Sequence, residues 1–438
     1  MIPALTFTTT PAAHPADLLD AIRDGGEWAD QTGGSPSAAP LTVWLRRGEG
    51  FVGLGQAATF NTLGSGRFGS AEQWWRAVIS QARIDGPADL PGMGPLAFGT
   101  FAFADNSPEP SALIVPRWVL ARFRGQEWIT TARLEDESAP SLPPIASPSG
   151  PVGSALPPMR QLPGPVSAEQ WPAVVERAIS LIKSGQLEKV VLARSVLAES
   201  LAGPVDPELV VRNLVNRYRD TWTFAVDGLV GASPEMLVRS TRGLVTSRIL
   251  AGTIRSTGCD QADLARAAAL ARSSKDLEEH EFAVASVVDA LQPFTEELAV
   301  PDGPSVLHLP NLMHLATEVV GELRRSRSGA LPGALTLASA LHPSAAVCGT
   351  PKREAARVIG QLEKLDRGRY SAPVGWIDAN GAGEWAIALR CAQLSPDGCS
   401  ARLWAGGGIV AASNPDAELA ETEAKLAPMR EALGLTDA

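Results

Sequence analysis

The sequence predicts an α+β protein in which long antiparallel strands mix with helices, and three stretches carry that expectation. Residues 370–405 read as a meander: SAPVGWID, a turn at Asn380-Gly381, then EWAIALRCAQL and ARLWA. Residues 261–291 are alanine-rich with helical character. Ahead of residue 138, LTVWLRRG, LAFGTFAFA and ALIVPRWVLARF alternate or run apolar between glycines and prolines, as strands do. Strand and helix do not alternate as a βαβ series would require, and no repeat is present.

The remaining elements follow in chain order. The strand-rich region 1–137 holds no catalytic cluster and reads as scaffold. Residues 138–167, SAPSLPPIASPSGPVGSALPPMRQLPGPVS, are rich in proline, serine and glycine and read as an exposed linker. A catalytic region, 168–435, then opens with a helix from Trp171 to Ser184, stopping near Gly185. KVVLARSVL (189–197) is β-branched and predicts a strand. A helix over 207–218 and a strand over 221–226 lead to the turn-like GASPE. Asn414-Pro415 opens a last helix with proline at its first position.

Composition bounds the function. The chain has 438 residues, 45% of them hydrophobic, enough for a large buried core. Lysine and arginine total 38 against 48 acidic residues, a net charge of −10, which argues against a nucleic-acid-binding face. The four cysteines, Cys259, Cys348, Cys391 and Cys399, form no CxxC pair and suit a reducing compartment. The first residues lack a secretory pattern, and no apolar run approaches the ~20 residues of a membrane span. The expectation is a soluble, cytoplasmic protein with no membrane and no nucleic-acid partner.

Several constellations could carry chemistry. In KDLEEHEFAVASVVDAL, helical spacing sets Glu279 over Ala283, Ser286 and Ala290, a stripe of small residues with room for a ligand. Glu281 falls over Val284 and Val288, so periodicity does not choose between the two glutamates. The last helix puts Glu418, Glu421 and Lys425 on one face. Two carboxylates from separate helices, with waters and substrate oxygens, would suit magnesium; solvated faces with a Glu421–Lys425 ion pair are the plainer reading. The run Ala405-Gly406-Gly407-Gly408 could let backbone N–H groups approach an anion, or be an ordinary turn. Alternation puts Arg390 on the strand face of Ala386 and Ala388, where it could fork onto a carboxylate or lie on a solvated sheet face. Lys189, entering an apolar strand, could be a base or a snorkelling strand end. His280, His314 and His342 read as structural histidines.

The order of motifs resolves these alternatives. LEKVVLAR (187–194), GASPEMLV (231–238), ILAGTIR (249–255), KDLEEHEF (275–282), NLMHLAT (311–317), LHPSAAVCGTP (341–351), DRGRYSAPVGWID (366–378), GEWAIALR (383–390), AGGGIV (405–410) and ELAETEAKL (418–426) resemble, in sequence order, the chorismate-utilising enzymes. That family includes isochorismate, salicylate, anthranilate and aminodeoxychorismate synthases, and the chain is most similar to an isochorismate synthase. The resemblance covers about residues 168–435 and is looser before them, resting there on FGTFAF and IVPRW.

The resemblance implies two large antiparallel β-sheets packed together with helices outside and the site between them. It implies a magnesium cofactor on Glu279 and Glu421, with Glu418 nearby. It places Arg390, Tyr370 and Gly406 at the substrate carboxylates, with Lys425 beside them, Gly252 and Thr253 along the ring, and His314 near the leaving hydroxyl. Lys189 marks members that add water, because water needs a base, and Glu235 matches the acid that protonates the departing 4-hydroxyl. The lysine is then neutral and the glutamate protonated, with burial opposing charge at both. AGGGIV departs from the family's usual AGAGIV, which a backbone-binding loop should tolerate, at the cost of a looser loop.

The implied activity is an isomerase reaction, chorismate to isochorismate, in a monomer feeding menaquinone or a siderophore, menaquinone being preferred. A salicylate synthase, the synthase subunit of an aminating enzyme and a non-catalytic chorismate-binding protein are the alternatives. Lyase members tend to carry threonine where this chain has Ala346, which favours the synthase. Leu389 resembles the lyases, and Tyr370 fits either outcome.

Overall fold

The protein is described by a computed structural model covering residues 2–12, 18–19, 40–88, 90, 92–135, 137, 155–257, 259–310, 312–327 and 329–435, the Lys275 side chain excepted. Most of the linker reading, 138–154, and Asn311 of the NLMHLAT motif lie outside these residues. Two large, almost wholly antiparallel sheets form the core. The larger begins at the edge strand Met159–Pro163. It runs through Lys189–Ser200, Ser400–Ile409, Cys391–Leu394, Leu229–Ser233 and Trp222–Val226, and continues into N-terminal strands from Leu41–Arg46 to Leu5–Pro11. Its last pairing, Leu5–Pro11 with Arg83–Asp85, is parallel. The second sheet runs from Thr295–Ala299 through Leu312–Leu323, Leu244–Arg255, Met236–Thr241, Gly383–Ile387 and Pro373–Asp378. It closes with Leu96–Thr100, Ser111–Val115 and Ala58–Thr62.

This corrects the sequence reading in one place. The linker reading fails at Met159–Pro163, which pairs with Val196–Ser200. An edge strand has few neighbours to pack against, so its sequence keeps the composition of a loop. Region 1–137 is continuous with the rest: it supplies strands to both sheets and shares their cores.

The inner faces of the sheets meet in an aromatic layer. Phe51 sits edge-on to Trp376 at 5.1 Å and to Phe98 at 5.9 Å, and Trp44, Phe224 and Met236 fill the same cluster. Helices cover the outer faces. Val210, Leu214, Leu426 and Met429 pack the helices Pro207–Arg217 and Pro415–Ala432 onto the larger sheet. The helix Ser274–Leu291 lies along the strand Leu244–Arg255 of the second sheet. The alanine-rich stretch is two helices, Asp260–Leu270 and Ser274–Leu291, because the Ser273 side chain caps the second by accepting from the Asp276 N–H at 3.3 Å. No described helix is long and apolar enough to cross a membrane.

Candidate active site

The chain crosses from one sheet to the other twice at the same place, and the crossings build the site. Leu229–Ser233 belongs to the larger sheet and Met236–Thr241 to the second, so GASPE passes between them at Pro234-Glu235. Gly383–Ile387 lies in the second sheet and Cys391–Leu394 in the larger, so the chain passes back at Ala388–Arg390. The crossings are tied together. The Ser233 hydroxyl donates to the Ile387 carbonyl at 2.6 Å, and the Ile387 N–H donates to the Glu235 carbonyl at 3.2 Å.

Arg390 therefore does not continue the alternation of the Trp385 strand, as the sequence suggested. Its φ of 47° is left-handed, a costly conformation for a residue other than glycine, and it turns the side chain into the gap between the sheets. The 370–405 meander is likewise divided between two sheets at this bend. Ser371, with φ 62°, makes the matching bend and donates its N–H to the Ala388 carbonyl at 2.9 Å.

A cleft lies at these crossings, enclosing about 570 Å³ free of protein atoms, open solvent at its mouth included. Its lining includes Glu235, Gly252, Thr253, Glu279, His314, Ala346, Tyr370, Arg390, Gly406, Glu421 and Lys425. Lys189 and Glu418, the other expected site residues, are not part of that lining but lie against the glycine run: Lys189, on the neighbouring strand, is beside Gly408 and Glu418 is beside Gly407. Lys189 is fully buried and Glu418 nearly so. All the lining comes from residue 191 onward.

Each wall has its own cause. The strand Leu244–Arg255 bulges between Ala251 and Thr253, and Gly252 takes a φ of 72° there. A Cβ on Gly252 would meet Asp276 Cβ at 2.8 Å, so only glycine fits. On the helix Ser274–Leu291, Glu279 reaches the cleft while Glu281 is exposed, which settles the choice periodicity left open. The small-residue stripe below Glu279 faces the segment carrying Ala346, since the Ala345 N–H donates to Ser286 Oγ at 3.2 Å.

The carboxylates converge on the glycine run. Lys189 Nζ lies 3.2 Å from Glu279 Oε1, in ion-pair contact but without hydrogen-bond alignment. Lys425 Nζ lies 2.5 Å from Glu421 Oε1 and donates to the Gly406 carbonyl at 2.9 Å. The Glu421–Lys425 pair is real, as the plainer reading held, but it lies inside the cleft. A Cβ on Gly408 would land on Glu279 Oε1, 2.8 Å from its Cδ and 3.0 Å from Lys189 Cε. A Cβ on Gly407 would approach Glu418 Oε2 at 2.9 Å, the movable end of a side chain. Gly408→Ala should therefore remove most activity, while Gly407→Ala, which restores the family's usual AGAGIV, should stay within a few-fold of wild type. Steady-state rates of the two variants check this, and equal losses would contradict it.

Burial sets the protonation states. The Glu235 carboxyl is pushed up to about 7 by burial, against the Leu250 N–H and the charges of Arg390, Lys189 and Lys425. Burial raises the Tyr370 phenol to about 12 and lowers Arg390, whose charge Tyr370, Glu421 and Glu235 support. Tyr370 stacks on Trp404 with ring centroids 5.8 Å apart. His280 and His342 are structural, as expected. His280 Nε2 lies 2.7 Å from Thr317 Oγ1, and His342 Nε2 donates to the Phe103 carbonyl at 3.0 Å. His314, also read as structural from the pattern alone, is in the cleft.

Sequence reasoning missed one supporting pair. Arg367 donates to the Val347 carbonyl at 2.8 Å and the Val191 carbonyl at 2.7 Å while paired with Glu363, so it ties two lining segments together. Its only signal was the i,i+4 spacing Glu363–Arg367.

Comparison with known proteins agrees with this architecture. The family model described as chorismate-binding enzyme matches residues 42–434. The salicylate-biosynthesis isochorismate synthase of Pseudomonas aeruginosa is 34% identical over 96% of this chain and 89% of its own length. The crystal structure of DhbC of Bacillus anthracis superposes with a TM-score of 0.73 at 33% identity, covering 91% of this chain and 97% of that one. The menaquinone-specific isochorismate synthase MenF of Escherichia coli gives 0.76 at 24% identity over 98% and 95%, and speaks for the fold alone.

Proposed function

The chain belongs to the chorismate-binding enzyme family, and on that premise we propose that it is an isochorismate synthase that works with magnesium. Within that family, one observation carries this choice: Lys189, fully buried, has no hydrogen-bond partner and lies beside Gly408 and the cleft-lining Glu279. Water is a poor nucleophile, and a lysine here is the base that water addition needs.

Lys189 takes a proton from the water that bonds to ring carbon 2. The ring double bonds shift, the carbon 4–oxygen bond breaks, and Glu235 gives that oxygen a proton, so it leaves as water. Arg390 and the Gly406 segment hold the carboxylates, and Tyr370 backs them.

Among the described residues no three His, Cys, Asp or Glu side chains are grouped to hold an ion by themselves. Magnesium asks for less, since it keeps several waters and takes one or two carboxylates. Glu279 and Glu421, on separate helices over the glycine run, would hold it, with Glu418 reaching it through water. The glycine run supports this fit, because backbone without side chains lets both carboxylates come close, Glu279 at Gly408 and Glu421 at Gly407. When bound, the ion supplies charge that anchors and orients the ring carboxylate.

The enzyme acts as a monomer in this reading. All four cysteines are free, which supports a reducing, cytoplasmic setting. Whether the product serves menaquinone or a siderophore is a matter of the next enzyme, and menaquinone is our reading.

The product distinguishes this reading from a salicylate synthase. With chorismate and magnesium at neutral pH, isochorismate should accumulate towards an equilibrium mixture with only trace salicylate fluorescence. Ala346→Thr should raise that trace, because its hydroxyl can steer the enolpyruvyl chain over the ring. Salicylate and pyruvate appearing in equal amounts at the rate of chorismate loss would make the chain a salicylate synthase.

Glu235 also gives a pH dependence. Its folded pKa, about 7, lies above the usual 4.5, so the folded state holds the proton more tightly. Turnover should fall as pH rises through about 7, where the acid loses its proton. Stability should fall between those two values, because the unfolded chain then binds fewer protons than the folded one. In Glu235→Gln the residual rate should lose that limb and the melting temperature should lose that decline. A variant keeping both would contradict the assignment.

A further inference from the structure

His314 occupies the point where Leu312–Leu323 meets the Gly252 bulge, and its hydrogen bonds fix which ring nitrogen carries the proton. Nδ1 lies 3.1 Å from the Gly252 carbonyl oxygen and 3.2 Å from Thr253 Oγ1. A carbonyl oxygen can only accept, so Nδ1 bears the hydrogen. Nε2 is then the unprotonated nitrogen. It lies 3.3 Å from Arg390 Nη2, and a guanidinium can only donate.

A second proton on Nε2 would face that N–H head on and set two cations together in a buried place. The charged groups acting on the ring are Arg390 and Lys425, both cationic, and the Gly252 carbonyl is the single influence favouring charge. Burial, then those two cations, holds the ring well below the usual histidine range. Among the described residues, the hydrogen bond to His314 is the one the Arg390 side chain makes, although Arg390 is buried. Its other N–H groups are left to the cleft.

We propose that His314 is a fixed hydrogen-bond acceptor, a positioning residue that aims the Arg390 guanidinium at a substrate carboxylate and takes no part in proton transfer. This deepens the proposed function and rests on it for the carboxylate, but not for the tautomer. It revises the expectation from resemblance, which placed His314 near the leaving hydroxyl. It also accounts for the left-handed backbone at Arg390: the bend and the acceptor together set the direction of the fork, so bidentate recognition needs no reorganisation when substrate enters.

The test has a structural arm and a kinetic arm. The full chain, labelled with ¹⁵N-histidine and without substrate, is followed by NMR from about pH 5 to about pH 8, the range in which an ordinary histidine titrates. The His314 signals are identified by their loss in His314→Gln. They should report one neutral ring with hydrogen on Nδ1 throughout. A ring that titrates in this range, or one with hydrogen on Nε2, would overturn the proposal.

In steady state, His314→Asn is too short to reach Arg390 and should raise KM for chorismate about tenfold or more, the cost of losing a hydrogen bond to a charged group, with a smaller fall in kcat. His314→Gln can present an amide oxygen where Nε2 stood and should recover part of that KM. Both should keep the limbs of the pH profile. A collapse of kcat at unchanged KM in both variants, with loss of a limb, would make His314 a proton-transfer group and refute positioning. A wild-type chain inactive on chorismate would defeat the proposed function separately, and the NMR arm would still decide the tautomer.

Discussion

Lys189→Ala should lower the rate of water addition by ~10²–10⁴-fold, the range a general base contributes, while chorismate still binds. Lys189 is fully buried and touches Glu279. Truncation therefore removes the amine beside Gly408 and the contact it makes with Glu279. Lys189→Met, which keeps the stem volume, separates the two effects: it should be as inactive as alanine yet melt closer to wild type. Activity within a few-fold of wild type in either variant would mean that another group is the base.

Glu279→Gln and Glu421→Gln should each lower activity by ~100-fold or more, since charge stabilisation by a bound metal is worth several kcal/mol. Each substitution removes an anionic oxygen and strands a lysine, Lys189 for the first and Lys425 for the second. The metal would then enter a site that has lost one of its two carboxylates. Calorimetric titration with magnesium should lose its heat in both variants, and excess EDTA should silence the wild type. Full turnover in EDTA would remove magnesium from the account.

Much of this was legible in the residues. The Lys189 strand, the helices carrying Glu279 and Glu421, and Pro415 at the start of the last helix follow from β-branching, helical spacing and capping, all local properties. The site itself was not local. Ser233 and Ile387 are 154 residues apart, and their hydrogen bond joins the two crossings that present Glu235 and Arg390. Alternation describes one strand in one sheet, so it misplaced Arg390 where the chain changes sheet. The Met159–Pro163 strand was read as linker because proline and glycine dominate its surroundings. Helical spacing could not choose Glu279 over Glu281, because both fall on plausible faces of one helix. The order of the motifs supplied what spacing alone did not.

The central claim is that water adds to carbon 2 while the 4-hydroxyl departs. It is tested most directly by running the reaction in ¹⁸O-labelled water and reading isochorismate by mass spectrometry at early times. The account predicts a single heavy oxygen in each isochorismate molecule, no label in unreacted chorismate at first, and no pyruvate. Unlabelled isochorismate, which would mean that the hydroxyl migrates without exchange, would contradict it, as would salicylate with pyruvate as the first products.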